Sequence, residues 1–137
     1  MKTKILRCQE LNDNKCPGKV LVVDDDERIL RVLNDMLIPN GYDVVLAKNG
    51  TEAIEITRKE LPDIILMDIM MPVTDGYTAC SVLKSDERTR QIPLIMLTGI
   101  GFELNKKFSE QLNADGYLVK PVSLEKLLDT LSSFISN

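Results

Sequence analysis

The chain alternates between two patterns of apolar residues. Short continuous apolar runs, rich in β-branched residues, are typical of strands that are buried on both faces of a parallel sheet. They lie at residues 20–23, 43–47, 64–67, 93–97 and 117–119. Between them, apolar residues recur every three or four positions, which predicts helices with one buried face. The helical patterns cover residues 28–37, 50–60, 77–84, 103–113 and a last helix that begins at Ser123.

Strands that alternate with helices of about ten residues form βαβ units, whose right-handed crossovers place helices on both faces of one sheet. We therefore predict an α/β fold, a doubly wound five-stranded parallel sheet in a three-layer sandwich. The polar segment before this pattern ends in the breaker pair Pro17-Gly18. We predict that residues 1–18 are an N-terminal extension or linker and that residues 19–137 form the folded domain.

Composition narrows the range of functions. With 137 residues, 44% of them apolar and 28% charged, the chain has the balance of one globular domain in water. No apolar run approaches the roughly 18 residues of a membrane helix, and the N-terminus lacks the apolar core of a secretory signal. We therefore predict a cytoplasmic protein without a membrane partner. A net charge of −4 argues against direct binding of nucleic acid. Since the chain has no histidine, any phosphohistidine donor must be another molecule or domain.

Residues that carry chemistry follow four of the predicted strands. They are Asp24, Asp25 and Asp26 after the first strand, Asp68 after the third, Thr98 after the fourth and Lys120 after the fifth. Ligands of open α/β sheets bind beyond the carboxyl ends of the strands, so we expect these side chains to meet there. Two carboxylates about 4 Å apart repel by about 1 kcal/mol even in bulk water, which favours a cation among them.

The expected cluster offers oxygen ligands only. We therefore predict a hard cation, Mg²⁺, with Mn²⁺ as an alternative. Such a cation would offset the charge of an incoming phosphoryl group and allow one of the carboxylates to act as nucleophile. Lys120 would pair with one phosphoryl oxygen, and Thr98 would donate a hydrogen bond to another. Thr98 and Lys120 are thus the predicted catalytic partners of that carboxylate.

The chain resembles the receiver domains of bacterial two-component response regulators in four segments. They are Val22-Val23-Asp24-Asp25, Asp68-Ile69-Met70-Met71-Pro72 with Asp75-Gly76, Leu97-Thr98-Gly99 and Tyr117-Leu118-Val119-Lys120-Pro121. The resemblance extends over residues 19–137 and implies a flavodoxin-like fold with strand order 2-1-3-4-5. It also implies a signalling domain, which is no enzyme beyond catalysing its own phosphorylation and slow autodephosphorylation.

The resemblance implies roles for single residues of the site. Asp68 matches the phosphorylated aspartate and is therefore the predicted phosphoacceptor. Asp25, Asp68 and the backbone carbonyl of Met70 match the direct metal ligands. Asp24 matches the acid that acts on the metal through water. The phosphodonor implied by the resemblance is a histidine kinase or a phosphotransfer protein, as in a phosphorelay.

The resemblance also implies a conformational switch. Thr98 matches the hydroxyl that moves toward the phosphoryl group, and Tyr117 matches the aromatic side chain that then turns inward. A Tyr117 that simply packs in the core is the alternative interpretation. Members of the family often have a cis peptide before the proline that matches Pro121.

Two departures from the common family pattern concern the lifetime of the aspartyl phosphate. Gly99 stands where a small residue such as alanine is usual, and Met70 and Ile100 are apolar at positions expected to border the phosphoryl group. We hypothesise that Met70, Gly99 and Ile100 tune this lifetime, the two apolar side chains by hindering an attacking water. Asp75-Gly76 is interpreted as a turn.

Two other classes of protein compete with this interpretation. A phosphate hydrolase of the haloacid dehalogenase type would carry an Asp-x-Asp-x-Thr motif after its first strand, whereas here Asp68 follows the third strand and Ile69-Met70 lacks the second acid. A pseudo-receiver would bind partners without phosphorylation, but the full set of acids, threonine and lysine argues against it.

The output of the domain is predicted to pass through protein contact. The chain ends at Asn137, soon after the last helix, so we expect either a downstream protein partner or a fused output domain in a larger hybrid protein. The last helix lacks the basic residues expected of the dimerising faces of DNA-binding regulators. We therefore predict a monomer, with a weak dimer on phosphorylation as the alternative.

Overall fold

In the computed structural model, the described residues are 18–69, 71, 76–99 and 114–135. The strands are β1 (Lys19–Val23), β2 (Asp43–Ala47), β3 (Ile64–Asp68), β4 (Leu94–Thr98) and β5 (Gly116–Val119). The helices are α1 (Glu27–Leu37), α2 (Gly50–Glu60), α3 (Gly76–Ser85) and α4 (Leu124–Phe134), and a 3₁₀ turn covers Ile38–Asn40. The helix predicted at residues 103–113 lies outside the described part of the chain. None of the helices in the described ranges is long and apolar enough to cross a membrane.

All strand pairings in the described sheet are parallel, and the strand order is β2-β1-β3-β4-β5. The predicted α/β fold and the strand order are therefore confirmed. The central strands β3 and β4 are buried at every position, which explains why they appear in the sequence as unbroken apolar runs.

The core divides into two clusters, one on each face of the sheet. One cluster contains Val20 and Val22 of β1 with buried leucines of α1 and α4. The other contains Leu21 and Val23 of the same strand with buried residues of α2 and α3. Because successive side chains of a strand point to opposite faces, this division defines the predicted three layers.

Side-chain caps fix where the helices begin. The Asp26 side chain accepts a hydrogen bond from the Arg28 amide at the start of α1, and Ser123 does the same for Lys126 at the start of α4. Asn49 caps α2 through the Glu52 amide. The cap at Asp26 leaves only three residues between β1 and α1, so the acidic loop 24–26 is held against the carboxyl edge of the sheet.

Candidate functional site

The acidic loop and the end of β3 meet at the centre of the sheet. Val23 of β1 is in register with Met67 of β3, so Asp24 and Asp68 follow as neighbours. Asp24 is 0% exposed and Asp68 is 7% exposed. Asp25 lies on the surface. One carboxylate oxygen from each of Asp24, Asp25 and Asp68 lies within 4.8 Å of the others.

Both carboxylate oxygens of Asp24 have partners. Oδ1 accepts a hydrogen bond of 2.9 Å from the Asp26 amide. Oδ2 accepts one of 3.0 Å from the Lys120 ammonium. A buried carboxylate is tolerated only when it is paired and hydrogen-bonded, and these contacts meet that requirement. They also fix Asp24 in place beside Asp68.

Lys120 bridges the two buried acids. Its Nζ lies 3.0 Å from Asp24 Oδ2 and 3.2 Å from Asp68 Oδ1. Burial acts to lower the pKa of this lysine, but the hydrogen bond to Asp24 and the charges of Asp68 and Asp24 outweigh burial, so the pKa is raised. The Lys120 amide donates to the Thr98 carbonyl at 2.6 Å, and the Lys120–Pro121 peptide is cis. The cis peptide implied by the family resemblance is therefore confirmed.

Thr98 ends β4 with its side chain buried. The residue is 1% exposed, and its hydroxyl oxygen has no hydrogen-bond partner within the described structure. An unsatisfied buried hydroxyl costs roughly 1–3 kcal/mol, and among the described residues the Thr57 hydroxyl of α2 is in the same state. For the next residue, Gly99, an added Cβ would meet no atom of the described residues within 4 Å.

Tyr117 lies two positions before the end of β5 and is partly buried. It is in register with Met96 of β4, and both pack in the cluster on the α2 and α3 side. Alternation along β4 places Thr98 on the same face as Met96. Thr98 and Tyr117 thus share one face of the sheet, as a coupled pair requires.

Some predicted site residues cannot be placed. Met70, with its predicted metal-binding carbonyl, and Ile100 lie outside the described residues. Asp75 does as well. The hypothesis that Met70 and Ile100 shield the phosphate therefore stays a prediction.

Sequence reasoning missed the part played by Gly76. The turn at Asp75-Gly76 stays a prediction, because Asp75 lies outside the described residues. Gly76 is the first residue of α3, and its amide donates to the Ile69 carbonyl at 2.9 Å. A Cβ there would overlap the carbonyl oxygen of Asp68. The available sequence signal was a glycine, a poor helix former, at the start of a helical pattern.

The cluster suits a hard divalent cation. Its three carboxylates supply oxygen ligands only, and one ammonium faces them, so the site keeps a net negative charge. Asp25 is exposed and gives solvent access to the cluster. These properties fit Mg²⁺, which prefers carboxylate oxygen and retains several waters.

The family model described as "Response regulator receiver domain" matches residues 20–132. The chain belongs to the response-regulator receiver family. It is thus a receiver domain of two-component signalling with a flavodoxin-like fold, and the hydrolase alternative is not supported. The roles of its single residues are a separate question.

Curated relatives fall into two kinds. The probable transcriptional regulator ycf27 of Guillardia theta is 40% identical over 121 residues, which cover 88% of this chain and 46% of the relative. The chain thus spans about half the length of the ycf27 regulators it matches. The polar-differentiation response regulator DivK of Brucella anthropi is 31% identical over 121 residues, which cover 88% of this chain and 98% of the relative.

Solved structures with the same fold include one with a bound metal ion and one with a bound partner protein. The receiver domain of the sensor histidine kinase PA1611 from Pseudomonas aeruginosa has magnesium coordinated in its active-site cleft. It has a TM-score of 0.82 and 31% identity, covering 88% of this chain and 98% of that one. The receiver domain of Ssk1 from Saccharomyces cerevisiae was crystallised with the histidine phosphotransfer protein Ypd1. That match has a TM-score of 0.79 and 25% identity, covering 85% of this chain and 87% of the matched chain.

Proposed function

We propose that this receiver domain takes a phosphoryl group onto the Asp68 carboxylate and changes conformation in response. The observation that carries the proposal is the position of Asp68 at the carboxyl edge of the sheet. There it lies within 4.8 Å of two further acids and 3.2 Å from the Lys120 ammonium. A carboxylate among acids and a cation has the surroundings that phosphoryl transfer requires.

In the proposed reaction, an Asp68 oxygen attacks the phosphorus atom of a phosphohistidine on the donor. The P–O bond forms as the P–N bond breaks, and the donor imidazole leaves with a proton from solvent. Lys120 stands beside Asp68 to hold a phosphoryl oxygen, which would draw its ammonium away from Asp24. The chain itself has no histidine, so the donor is a histidine kinase or a phosphotransfer protein. The complex of Ypd1 with a similar receiver supports this class of partner.

We propose Mg²⁺, with Mn²⁺ as an alternative, as the cofactor of this step. Asp25, Asp68 and the Met70 carbonyl would hold it directly, and Asp24 would act through water. The indirect role of Asp24 agrees with its engagement by the Asp26 amide and by Lys120. When bound, the cation offsets the negative charge that the acceptor and the phosphoryl group bring together.

Thr98 and Tyr117 are the proposed switch. The Thr98 hydroxyl is buried without a partner among the described residues, so a phosphoryl oxygen would give it its missing hydrogen bond. Tyr117 lies partly buried on the same face of the sheet and would turn inward when the Thr98 hydroxyl moves toward the phosphoryl group. Shifting a population from 1:99 to 99:1 requires about 5.5 kcal/mol. One charge-assisted hydrogen bond and one ion pair supply much of this.

Several wider features belong to the same proposal. Residues 19–137 would form the receiver and residues 1–18 an extension or linker, which agrees with the family match at 20–132. We propose a cytoplasmic monomer that dimerises on phosphorylation and acts through a downstream protein or a fused output domain, without contacting nucleic acid or membrane. Dephosphorylation would be slow, with its rate set by Met70, Gly99 and Ile100.

Labelling with a small phosphodonor tests the proposal. The domain is incubated with acetyl phosphate and Mg²⁺, and the added mass is measured for the wild type, Asp68→Asn and the control Asp86→Asn, whose carboxylate pairs with arginines away from the site. We expect one phosphoryl group on the wild type and the control, and none on Asp68→Asn or after chelation of Mg²⁺. Labelling of Asp68→Asn refutes the assignment of Asp68 as the acceptor, and no labelling of the wild type refutes phosphorylation itself and favours a pseudo-receiver.

A further inference from the structure

Gly76 lies against the backbone of the proposed phosphoacceptor. An added Cβ would overlap the Asp68 carbonyl oxygen, lie 2.8 Å from the Ile69 Cα and lie 3.0 Å from the Met96 Cε. Real Cβ atoms essentially never come closer than 3.0 Å to another heavy atom, and two of these three obstacles are main-chain atoms. A side-chain rotation therefore cannot relieve the clash.

The requirement for glycine at this position comes from space and not from backbone conformation. The positive-φ glycines within the described ranges are Gly18 and Gly41, whereas Gly76 is part of α3. By helix propensity alone, alanine would be favoured over glycine in α3. Gly116 offers a contrast, because a Cβ there meets the ends of the flexible side chains Ile95 and Phe134, at 3.1 Å and beyond.

The contact ties α3 to the segment that follows the acceptor. The Gly76 amide donates to the Ile69 carbonyl at 2.9 Å, and the Ile69 amide donates to the Leu97 carbonyl at 3.3 Å. The end of β3 is thus held between β4 on one side and the first turn of α3 on the other. Any movement of Gly76 and the first turn of α3 away from the end of β3 therefore acts directly on the main chain that carries the Asp68 carboxylate.

We propose that Gly76 is a positioning residue for Asp68: its missing Cβ allows α3 to close onto the acceptor strand, and this sets where the Asp68 carboxylate faces the Mg²⁺ ligands and Lys120. The inference rests on the proposed function. It does not make Gly76 a catalytic residue, since Gly76 touches the backbone of the acceptor and no reacting atom.

The test compares Gly76→Ala with the wild type and with Gly116→Ala. Folding is followed by urea denaturation, Mg²⁺ affinity by calorimetry, and labelling by acetyl phosphate at saturating Mg²⁺. Small misplacements of a reacting group cost rate steeply, so we expect Gly76→Ala to label at least about tenfold more slowly. We also expect its dissociation constant for Mg²⁺ to rise about tenfold, as for lost support of a metal ligand. Gly116→Ala should change neither quantity by more than about twofold.

A second pair of variants separates the main-chain contacts from the contact with Met96. Met96→Leu removes the terminal methyl that a Cβ at position 76 would meet, but it leaves the overlap with Asp68 in place. Gly76→Ala/Met96→Leu should therefore stay as slow and as weak in Mg²⁺ binding as Gly76→Ala. Recovery of both quantities in the double variant would assign the defect to core packing and overturn the proposal.

The remaining outcomes are also decisive. A Gly76→Ala domain that is folded and has wild-type labelling and Mg²⁺ affinity refutes the positioning role while leaving Asp68 as the acceptor. An unlabelled wild type instead refutes the proposed function. If Gly76→Ala does not fold, it is remade together with Leu61→Gly. This second change should stabilise the domain, because Leu61 has a φ of 48°, which glycine adopts without strain. Failure to fold there as well would assign Gly76 to the stability of the fold alone and overturn the proposal.

Discussion

Asp25→Asn should make the domain more stable in the absence of divalent cations. Asp25, Asp24 and Asp68 have carboxylate oxygens within 4.8 Å of one another, and among these three acids the Lys120 ammonium pairs with Asp24 and Asp68. The amide of asparagine keeps the shape of Asp25 and removes its charge. Two repulsions with buried neighbours are then lost, and no ion pair given by the structure for the described residues is broken.

The size of the effect follows from the distances. Two unit charges about 4.8 Å apart repel by about 0.9 kcal/mol at the dielectric constant of water and by more where water is restricted. Asp25 is exposed, so the dielectric constant of water is the better choice for its repulsion with the two neighbouring acids. We expect the free energy of unfolding to rise by on the order of 1 kcal/mol, which for a domain of this size raises the Tm by about 4 °C.

Thermal and urea unfolding at low ionic strength with a chelator would measure this gain. Asp129→Asn is the matched control, because Asp129 lies exposed on α4 away from the acidic cluster. The gain should shrink in 1 M salt, where the screening length falls to about 3 Å. Millimolar Mg²⁺ should stabilise the wild type more than Asp25→Asn, because ligand binding stabilises the state that binds it. If Asp25→Asn is no more stable than the wild type at low salt, the assumed repulsion between Asp25 and the two buried acids is refuted.

Three other changes test the same structure. Leu61 caps α2 with φ of 48° and is 55% exposed, so Leu61→Gly should add roughly 0.5–1 kcal/mol to the free energy of unfolding in urea titrations. Hydrogen bonds from Arg88, with a further one from Arg58, lower the pKa of Asp86 to about 2. Its stabilisation is therefore present above the unfolded pKa near 3.9 and is lost as the pH falls toward 2. Asp86→Asn should accordingly lower stability at pH 7, and this difference from the wild type should shrink through pH 3 and be largely lost by pH 2. An equal difference at pH 7 and at pH 2 would contradict the assignment. Thr98→Val should raise the stability of the unphosphorylated domain by about 1 kcal/mol, measured by thermal unfolding, since it removes an unsatisfied buried hydroxyl.

The sheet was predictable because its strands are short apolar runs that end where polar or charged residues begin. Ile64–Asp68 and Leu94–Thr98 each lie within one residue of the predicted run, since both faces are buried and no alternation blurs the boundary. The meeting of Asp24, Asp68 and Lys120 followed from the same logic, because parallel strands end at one edge.

Side-chain contacts between residues that are distant in the chain could not be predicted from the sequence. Lys84 appeared only as the end of a helix, but its Nζ donates to the Ile92 carbonyl at 2.9 Å and to Asp115 Oδ2 at 2.7 Å. The same Asp115 oxygen accepts from the Leu94 amide at 2.8 Å, so this network joins α3 to the starts of β4 and β5. The left-handed conformation of Leu61 at the end of α2 could not be predicted either, because leucine does not favour positive φ.

Three residues at the site share one physical property: by local criteria Asp25, Thr98 and Gly76 are each a poor choice for stability. Asp25 adds repulsion, Thr98 buries a hydroxyl without a partner within the described structure, and Gly76 puts a poor helix former into α3. A phosphoryl group with its cation would supply what the first two lack, since the cation offsets the acids and a phosphoryl oxygen accepts from the hydroxyl. Gly76 gains nothing from phosphorylation, and the role proposed for it is therefore the positioning of Asp68. Variants of Asp25 and Thr98 should therefore gain stability and lose response, whereas Gly76→Ala should lose both.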